Sequence, residues 1–304
     1  MSSKLAATYA ECLSEAQSES LDVQRKALRT LASLTKVSPL NRNSLAHTDG
    51  AIATLIALCR SSSSIQILSL CVLFNLSLNT NLKRLLADMD TIHHLNYIIL
   101  NPTCSDSCKF AASLICSLAM LDKNKAGFGV AGTIQALVRI LGEPRSPFSH
   151  HILSSLAELV QFHGNCTLAV WTGAVPALIQ IVENTDSEDL AGSSLAILTL
   201  LAKYEEGMTA IRNTDEIVSL LVDVLGRRCM LSKEGAAELL VHLFDESEGC
   251  LRDAARLPEF SNVIADISVR GSAKAREKAS LLMKKMMDSD LDSYLEPDSA
   301  DYHW

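Results

Sequence analysis

Residues Gly132 to Leu141 read GTIQALVRIL, and the phrase comes back along the chain. Gly50 to Cys59 is GAIATLIALC, and Gly173 to Val182 is GAVPALIQIV. Looser copies begin at Asp90 (DTIHHLNYII) and Asp215 (DEIVSLLVDV). Each copy is a turn residue followed by an apolar helix. The starts at 50, 90, 132, 173 and 215 give a step of about 42 residues, and a fixed period of that size is the mark of a stacked helical solenoid. Such a chain grows by adding units and has no single core to saturate.

Composition agrees. Apolar residues are 48% of the 304 and aromatics only 5%, with Leu and Ala dominant, as helix-on-helix packing requires. No run of 18 apolar residues is present, so no spanning helix is expected. The N-terminal MSSKLAATYAECLSEAQSES carries acids and lacks an apolar core, so it does not read as a secretory signal. Nine cysteines without such a signal predict reduced thiols and a cytoplasmic or nuclear location. A net charge of −8 argues against general nucleic-acid binding, which needs a basic stripe.

In chain order, residues 1–20 read as a capping helix (3–18), and Leu21 to Lys36 as a stronger helix stopped by Val37-Ser38-Pro39. A partial repeat (21–37) then precedes six units, at about 38–78, 79–121, 122–163, 164–204, 205–247 and 248–288. The repeat domain thus spans 21–288, and 289–304 read as an acidic disordered tail. Each unit has a short polar helix, a turn, a middle helix and a longer third helix. Ser64, Asp106, Ser149, Ser187 and Ser272 are the expected caps of third helices. The bases Arg270, Lys274, Arg276, Lys278, Lys284 and Lys285 lie just before the acidic tail, which is expected to screen them.

Three helices per unit, the Gly-Ala-Ile/Val turn and LFNLSLN (Leu73 to Asn79) resemble armadillo repeats rather than HEAT repeats. The implied fold is all-α: a right-handed superhelical solenoid of three-helix repeats with a concave groove. NRNSLAHTDGAI (Asn41 to Ile52), YEEGMTAI (Tyr204 to Ile211), MLSKEGAAELLVHLF (Met230 to Phe244) and GSAKAREKASLLMKKM (Gly271 to Met286) look like the plant U-box/armadillo family. The resemblance covers roughly residues 21–287. No stretch resembles the U-box, so ligase activity does not carry over, and partner binding does. The resemblance implies a non-enzymatic adaptor for a protein or peptide, such as a kinase, receptor or ubiquitin-pathway protein. The alternatives are the substrate-recognition part of a ubiquitin ligase and, more weakly, a nuclear-import receptor. A monomer without cofactor or metal is expected.

Armadillo members that resemble importin-α clamp an extended peptide with an Asn on each third helix and a Trp four residues earlier. Here the Asn position holds Ser33, Asn75, Ser117, Glu158, Leu200, His242 and Lys284, and the Trp position holds Arg29, Cys71, Ser113, Ser154, Ala196, Glu238 and Ser280. One Asn and no Trp make no amide ladder, since such a clamp needs a donor and an acceptor at successive repeats. One turn earlier lie Arg25, Ile67, Lys109 and His150. The groove is therefore assigned to Arg25, Arg29, Ser33, Asn75, Lys109, Ser113, Ser117, Glu158, Glu238 and His242.

The other motifs have plainer readings. Gly127, Gly129 and Gly132 spell GxGxxG, but an Ala- and Leu-rich helix precedes them where a dinucleotide site needs a strand. His93/His94, His150/His151, His163 and Cys166 lack the tight spacing of a zinc site. One of His93 and His94 is expected to be buried and hydrogen-bonded. Cys104 and Cys108 read as ordinary thiols, and Glu205/Glu206 as acids at a helix start. Trp171 is expected to pack between units.

Overall fold

The computed structural model describes residues 2–143, 147–184 and 188–295, with side chains from residue 7 to residue 288 within those ranges. Helix α1 (Ser2–Ala16) lies against α2 (Leu21–Val37), with Tyr9 and Ala16 fully buried. Triplets follow. The first is α3 (Pro39–Ala46), α4 (Ala51–Leu58) and α5 (Ser63–Ser77), and the second is α6 (Thr80–Leu86), α7 (Met89–Leu100) and α8 (Ser105–Ala119). The third is α9 (Asp122–Val130), α10 (Thr133–Leu141) and α11 (Ser149–Leu159), and the fourth is α12 (His163–Trp171), α13 (Ala174–Glu183) and α14 (Glu188–Leu201). Then come α15 (Glu205–Arg212), α16 (Ile217–Gly226) and α17 (Met230–Glu246), and last α18 (Glu248–Ala255), α19 (Phe260–Arg270) and α20 (Ala273–Leu295). Among the described residues there is no strand.

The chain divides into two compact units, residues 1–174 and 175–304. In the first, α2, α5, α8 and α11 pack side by side in that order. In the second, α14, α17 and α20 do the same. The middle helices cover the third helices from behind: α7 on α8, α10 on α11, α16 on α17 and α19 on α20.

Helix α10 illustrates why the founding phrase works. Ile134, Leu137, Val138, Ile140 and Leu141 are buried, while Gln135 and Arg139 on the opposite strip are exposed. Burying each large aliphatic side chain stabilises by about 1.5–3 kcal/mol. The corner before the helix needs a left-handed backbone, and Gly50, Gly132 and Gly173 supply it with φ of +69°, +79° and +87°. Glycine has no Cβ to clash there.

Two expected corner residues sit elsewhere. At the second triplet the helix starts before Asp90, at Met89, and the Asp88 carboxylate caps it by accepting from the Thr91 amide at 3.0 Å. At the fifth, Glu216 rather than Asp215 takes the left-handed turn, at φ +55°. The caps of third helices also differ from expectation. Helices α5 and α8 begin one residue earlier than expected, which places Ser64 and Asp106 inside their first turns, and Ser149 is likewise the first residue of α11. Ser272 does cap α20, accepting from the Ala275 amide at 3.1 Å, and Ser187 lies outside the described residues.

The last helix runs to Leu295, so 289–295 are helical rather than disordered. SDLDSYL holds no Gly or Pro, and the first breaker is Pro297, which disfavours helix at the residue before it. Residues 296–304 lie outside the described residues.

The corner argument predicts opposite signs for two changes. Gly132→Val places a β-branched side chain at φ +79° and lowers unfolding stability by about 1–2 kcal/mol, while Glu216→Gly removes a similar penalty and raises it by up to about 1 kcal/mol. Urea titrations of the two variants check this. A stabilised Gly132→Val or a destabilised Glu216→Gly contradicts it.

Candidate partner-binding surface

Third helices are buried on nearly every side. On α8, Cys108, Ala111, Ala112, Leu114, Ile115, Leu118 and Ala119 are all buried, and a narrow strip remains open at Lys109, Ser113, Cys116 and Met120. On α5 the open strip is Ile67, Cys71, Phe74 and Leu78. These strips, with Arg25, Arg29 and Ser33 on α2, form the accessible face of the third-helix stack in the first unit.

Asn75 and Ser117, expected on this face, are instead buried at 6% exposure each. The Asn75 Nδ2 donates to the Ala32 carbonyl and the Thr35 Oγ1, both at 3.1 Å. Ser117 Oγ accepts from Ser77 Oγ at 2.8 Å, and the Lys83 ammonium donates to the Ser117 carbonyl. These bonds tie α2 to α5 and α5 to α8. The repeat register was right, but these side chains point into the neighbouring helix rather than outward. The positions that open outward include Phe74 and Cys116, one residue earlier, which sequence reasoning missed. The low amphipathicity of LCVLFNLS gives no signal for that choice.

The other assigned residues vary in availability. Arg29 and Ser33 are exposed, and Arg29 has no ion-pair partner among the described residues. Arg25 is half-buried with Nη1 3.3 Å from Asp22, and its Nε is buried without a partner. Lys109 contacts Asp106 at 3.1 Å across one helical turn. Such exposed pairs contribute about 0–1 kcal/mol and leave the cation available. Ser113 Oγ lies 3.0 Å from the Nδ1 of His151 on α11. Burial, then Lys109 and His150, hold the His151 imidazole below its usual pKa and favour the neutral ring.

Glu158 is held by Lys125 of α9, whose ammonium sits 3.0 Å from Glu158 and 2.8 Å from Asp122. Burial pushes the Lys125 pKa down, but hydrogen bonds to Asp122 and Glu158 outweigh it and leave it raised. Lys83 is the converse case. Burial lowers its pKa, and Cys116 and Glu158 only partly offset that. Burial raises the Cys71 and Cys116 thiols, so both are poor nucleophiles on this face.

In the second unit, Glu238 on α17 binds Lys274 at 2.9 Å and Lys278 at 3.3 Å on α20. Lys285 pairs with Asp245, and Arg270 pairs with Asp266 at 3.2 Å. Four of the six C-terminal bases therefore already pair with three carboxylates of α17 and α19, Glu238, Asp245 and Asp266. His242 is half-buried on the same helix.

The remaining motifs resolve simply. A Cβ on Gly129 would fall 2.1 Å from Asn165 Oδ1, so this glycine permits α9 to approach α12. His94 is half-buried, but its Nε2 is enclosed without a hydrogen-bond partner, and His93 is exposed. Trp171, expected to pack, is 75% exposed, because it occupies the outer side at the last turn of α12. Cys104 and Cys108 are free thiols, and burial raises Cys108 to about 12. Among the described residues no group of His, Cys, Asp or Glu converges as metal ligands would, and no single helix is long and apolar enough to cross a membrane.

A solenoid of three-helix units with one open strip per unit defines an armadillo-type scaffold. Solved structures agree on that fold. A designed armadillo repeat protein in complex with the peptide (KR)4 superposes with a TM-score of 0.60 at 12% identity, over 91% of this chain and 98% of that one. A computationally designed armadillo repeat protein for modular peptide recognition gives 0.64 at 15% identity, over 76% and 98%. The chain belongs to the family described as the plant U-box protein ARM repeat region, which matches residues 8–296. No U-box domain matches it. It is similar to U-box domain-containing protein 45 of Arabidopsis thaliana, 24% identical over 297 residues, 90% of this chain and 38% of that protein. U-box domain-containing protein 8 of the same plant is 28% identical over 210 residues, covering 69% of this chain and 54% of that protein. U-box domain-containing protein 1 of Medicago truncatula is 32% identical over 121 residues, covering 38% of this chain and 17% of that protein. The chain thus spans about a sixth to a half of the length of these relatives.

The Glu238 cluster yields a pH prediction. Burial raises the Glu238 pKa, but Lys274 and Lys278 outweigh it and hold it below its ordinary 4.5. A depressed carboxylate stabilises above its unfolded pKa, and that stabilisation is lost as pH falls through the folded pKa. Glu238→Gln is expected to cost about 1 kcal/mol at pH 7 and progressively less below 4.5. Thermal melts of both proteins across that range check it. A gap independent of pH rules out the assignment.

Proposed function

We propose that this chain is a non-enzymatic adaptor that holds a segment of a partner protein on the open face of its third helices. The observation that carries this reading is the contrast on those helices. All their other sides are buried, while the strip from Arg29 through Cys71 to Lys109 and Ser113 stays accessible and carries the Arg29 cation together with Lys109, whose ion pair to Asp106 is exposed. The plant family supports partners drawn from signalling or ubiquitin-related pathways, such as a kinase or a receptor tail, and a site of action in cytoplasm or nucleus. The Arg29 cation, with Lys109 held only by an exposed pair to Asp106, favours a partner segment carrying carboxylates, and double charge reversal is the direct test.

Arg29→Glu with Lys109→Glu is expected to abolish capture of such a partner from plant extract without changing the melting temperature. Partners retained by the double variant would move the binding site off this face.

A second reading rests on the U-box proteins that the chain resembles over part of their length. Here the chain is the substrate-recognition portion of a ubiquitin ligase, with the U-box supplied in a longer form or in trans. Its mark is a ubiquitin-conjugating enzyme among the captured proteins.

A further inference from the structure

A cleft of about 740 Å³ opens in the first unit between the end of α4, the exposed side of α7 and the loop before α8. Pockets that hold small ligands measure about 300–1,000 Å³. The lining includes none of the residues of the open third-helix strips. Its polar wall is fixed by Gln66, which is 5% exposed. Gln66 Nε2 donates to the Cys59 carbonyl, and Gln66 Oε1 accepts from Thr103 Oγ1, both at 2.7 Å. One side chain thus ties the end of α4, the start of α5 and the loop after α7 together. The cleft stands preformed, and a ligand does not have to order it.

A second wall is aromatic. The rings of His94 and Tyr97 lie 11° from parallel with centroids 6.4 Å apart, an offset stack. Solenoid packing does not call for these rings. In the four other copies of the phrase that begins at Asp90, the position of His94 holds Thr54, Ala136, Ala177 and Ser219. That of Tyr97 holds Ala57, Arg139, Gln180 and Val222. Tyr97 is 62% exposed, so it fills no core.

Two opposite charges complete the lining. Arg60 follows the end of α4, and Asp90 sits in the first turn of α7. Both are exposed, and neither has an ion-pair partner among the described residues. Burial, then the Arg60 charge, hold the His94 imidazole below its usual pKa against the opposing Cys59 carbonyl, and burial pushes the Cys59 thiol up to about 12. Both groups are therefore neutral at pH 7. The cleft offers one guanidinium and one carboxylate beside a stack of rings, with His93 and Ser61 exposed next to them.

An α-amino acid with a planar side chain matches that set. Its carboxylate suits the fork of a guanidinium, its ammonium pairs with a carboxylate, and its ring stacks. A ligand with a single charge leaves either Arg60 or Asp90 unmatched. We infer that this cleft binds a free aromatic α-amino acid, with Arg60 on its carboxylate, Asp90 on its ammonium and Tyr97 against its ring. The site is separate from the third-helix face and does not depend on the adaptor reading.

NMR titration of the isotope-labelled whole chain at pH 7 tests this with L-tryptophan, L-phenylalanine and L-tyrosine. At least one is expected to bind with a Kd on the order of 1 mM or tighter, as suits a ligand of about fifteen non-hydrogen atoms. For the tightest, three analogues each lack one recognised group: the amine without the carboxylate, the propionate without the ammonium, and L-alanine without the ring. Each is expected to bind at least about tenfold more weakly. Arg60→Met should weaken the amino acid about tenfold and leave the amine unchanged, whereas Asp90→Asn should weaken the amino acid and leave the propionate unchanged. Both side chains are exposed, so the variants should melt like the parent. If Asp90→Asn melts lower through loss of an acid in the first turn of α7, Tyr97→Ala takes its place, expected to weaken the amino acid about tenfold and L-alanine not at all. No binding of the three amino acids, an amine or propionate that binds as tightly, or a variant of unchanged affinity overturns the inference.

Discussion

No three-helix unit here can bury its own apolar surface, and the structure follows from that. Helix α5 has Ile65, Leu70, Val72, Leu73 and Leu76 buried around its circumference, against α2 on one side, α8 on the other and α4 behind. A lone triplet would leave most of these in water, at about 25 cal/mol per Å² of exposed apolar area. Stacking therefore precedes everything else. It fixes the register between third helices, and it leaves one strip per helix where function can reside.

Stacking also decides where polar groups go. A buried Ser or Asn on a third helix enclosed on three sides is stabilised when a neighbour supplies the partner, since an unmade buried hydrogen bond costs about 1–3 kcal/mol, and Ser69 and Ser194 Oγ carry that cost. Ser77, Ser117 and Ser155 meet that condition through bonds to the adjacent third helix. The two buried lysines obey the same rule with charge. Lys125 reaches Glu158, while Lys83 finds the neutral carbonyl and hydroxyl of Ser117, and their pKa values move in opposite directions accordingly.

The period, the triplet order and the glycine corners were legible in the sequence because each depends on local chemistry: a φ above zero, a helix of fixed length, an apolar run. The facing of the third helices was not. GTIQALVRIL has a clear polar strip at Gln135 and Arg139, but ILSLCVLFNLS has none, so nothing in its pattern separates Asn75, turned inward, from Phe74, turned out. The exposure of Trp171 was hidden for a related reason. A Trp in an apolar context reads as packing, and only the position at the end of α12 places it outside.

The missing amide clamp is better understood from where the amides went. Asn124 Nδ2 donates to the Leu118 and Lys83 carbonyls at 3.0 and 3.2 Å, and Asn165 Nδ2 donates to Leu159 and Lys125 at 3.0 and 2.9 Å. Asn41 makes the corresponding bond to Leu34 at 2.8 Å. This chain does have a repeating Asn, but on the first helices, where it satisfies carbonyls freed at the end of the preceding third helix. Those amides spend their Nδ2 donors on the solenoid's own carbonyls. The proposed adaptor role therefore rests on side-chain chemistry, with the cations of Arg29 and Lys109 on the open face. In that role the surface would discriminate by the charge of a partner's side chains. A clamp on the backbone would instead accept any extended chain.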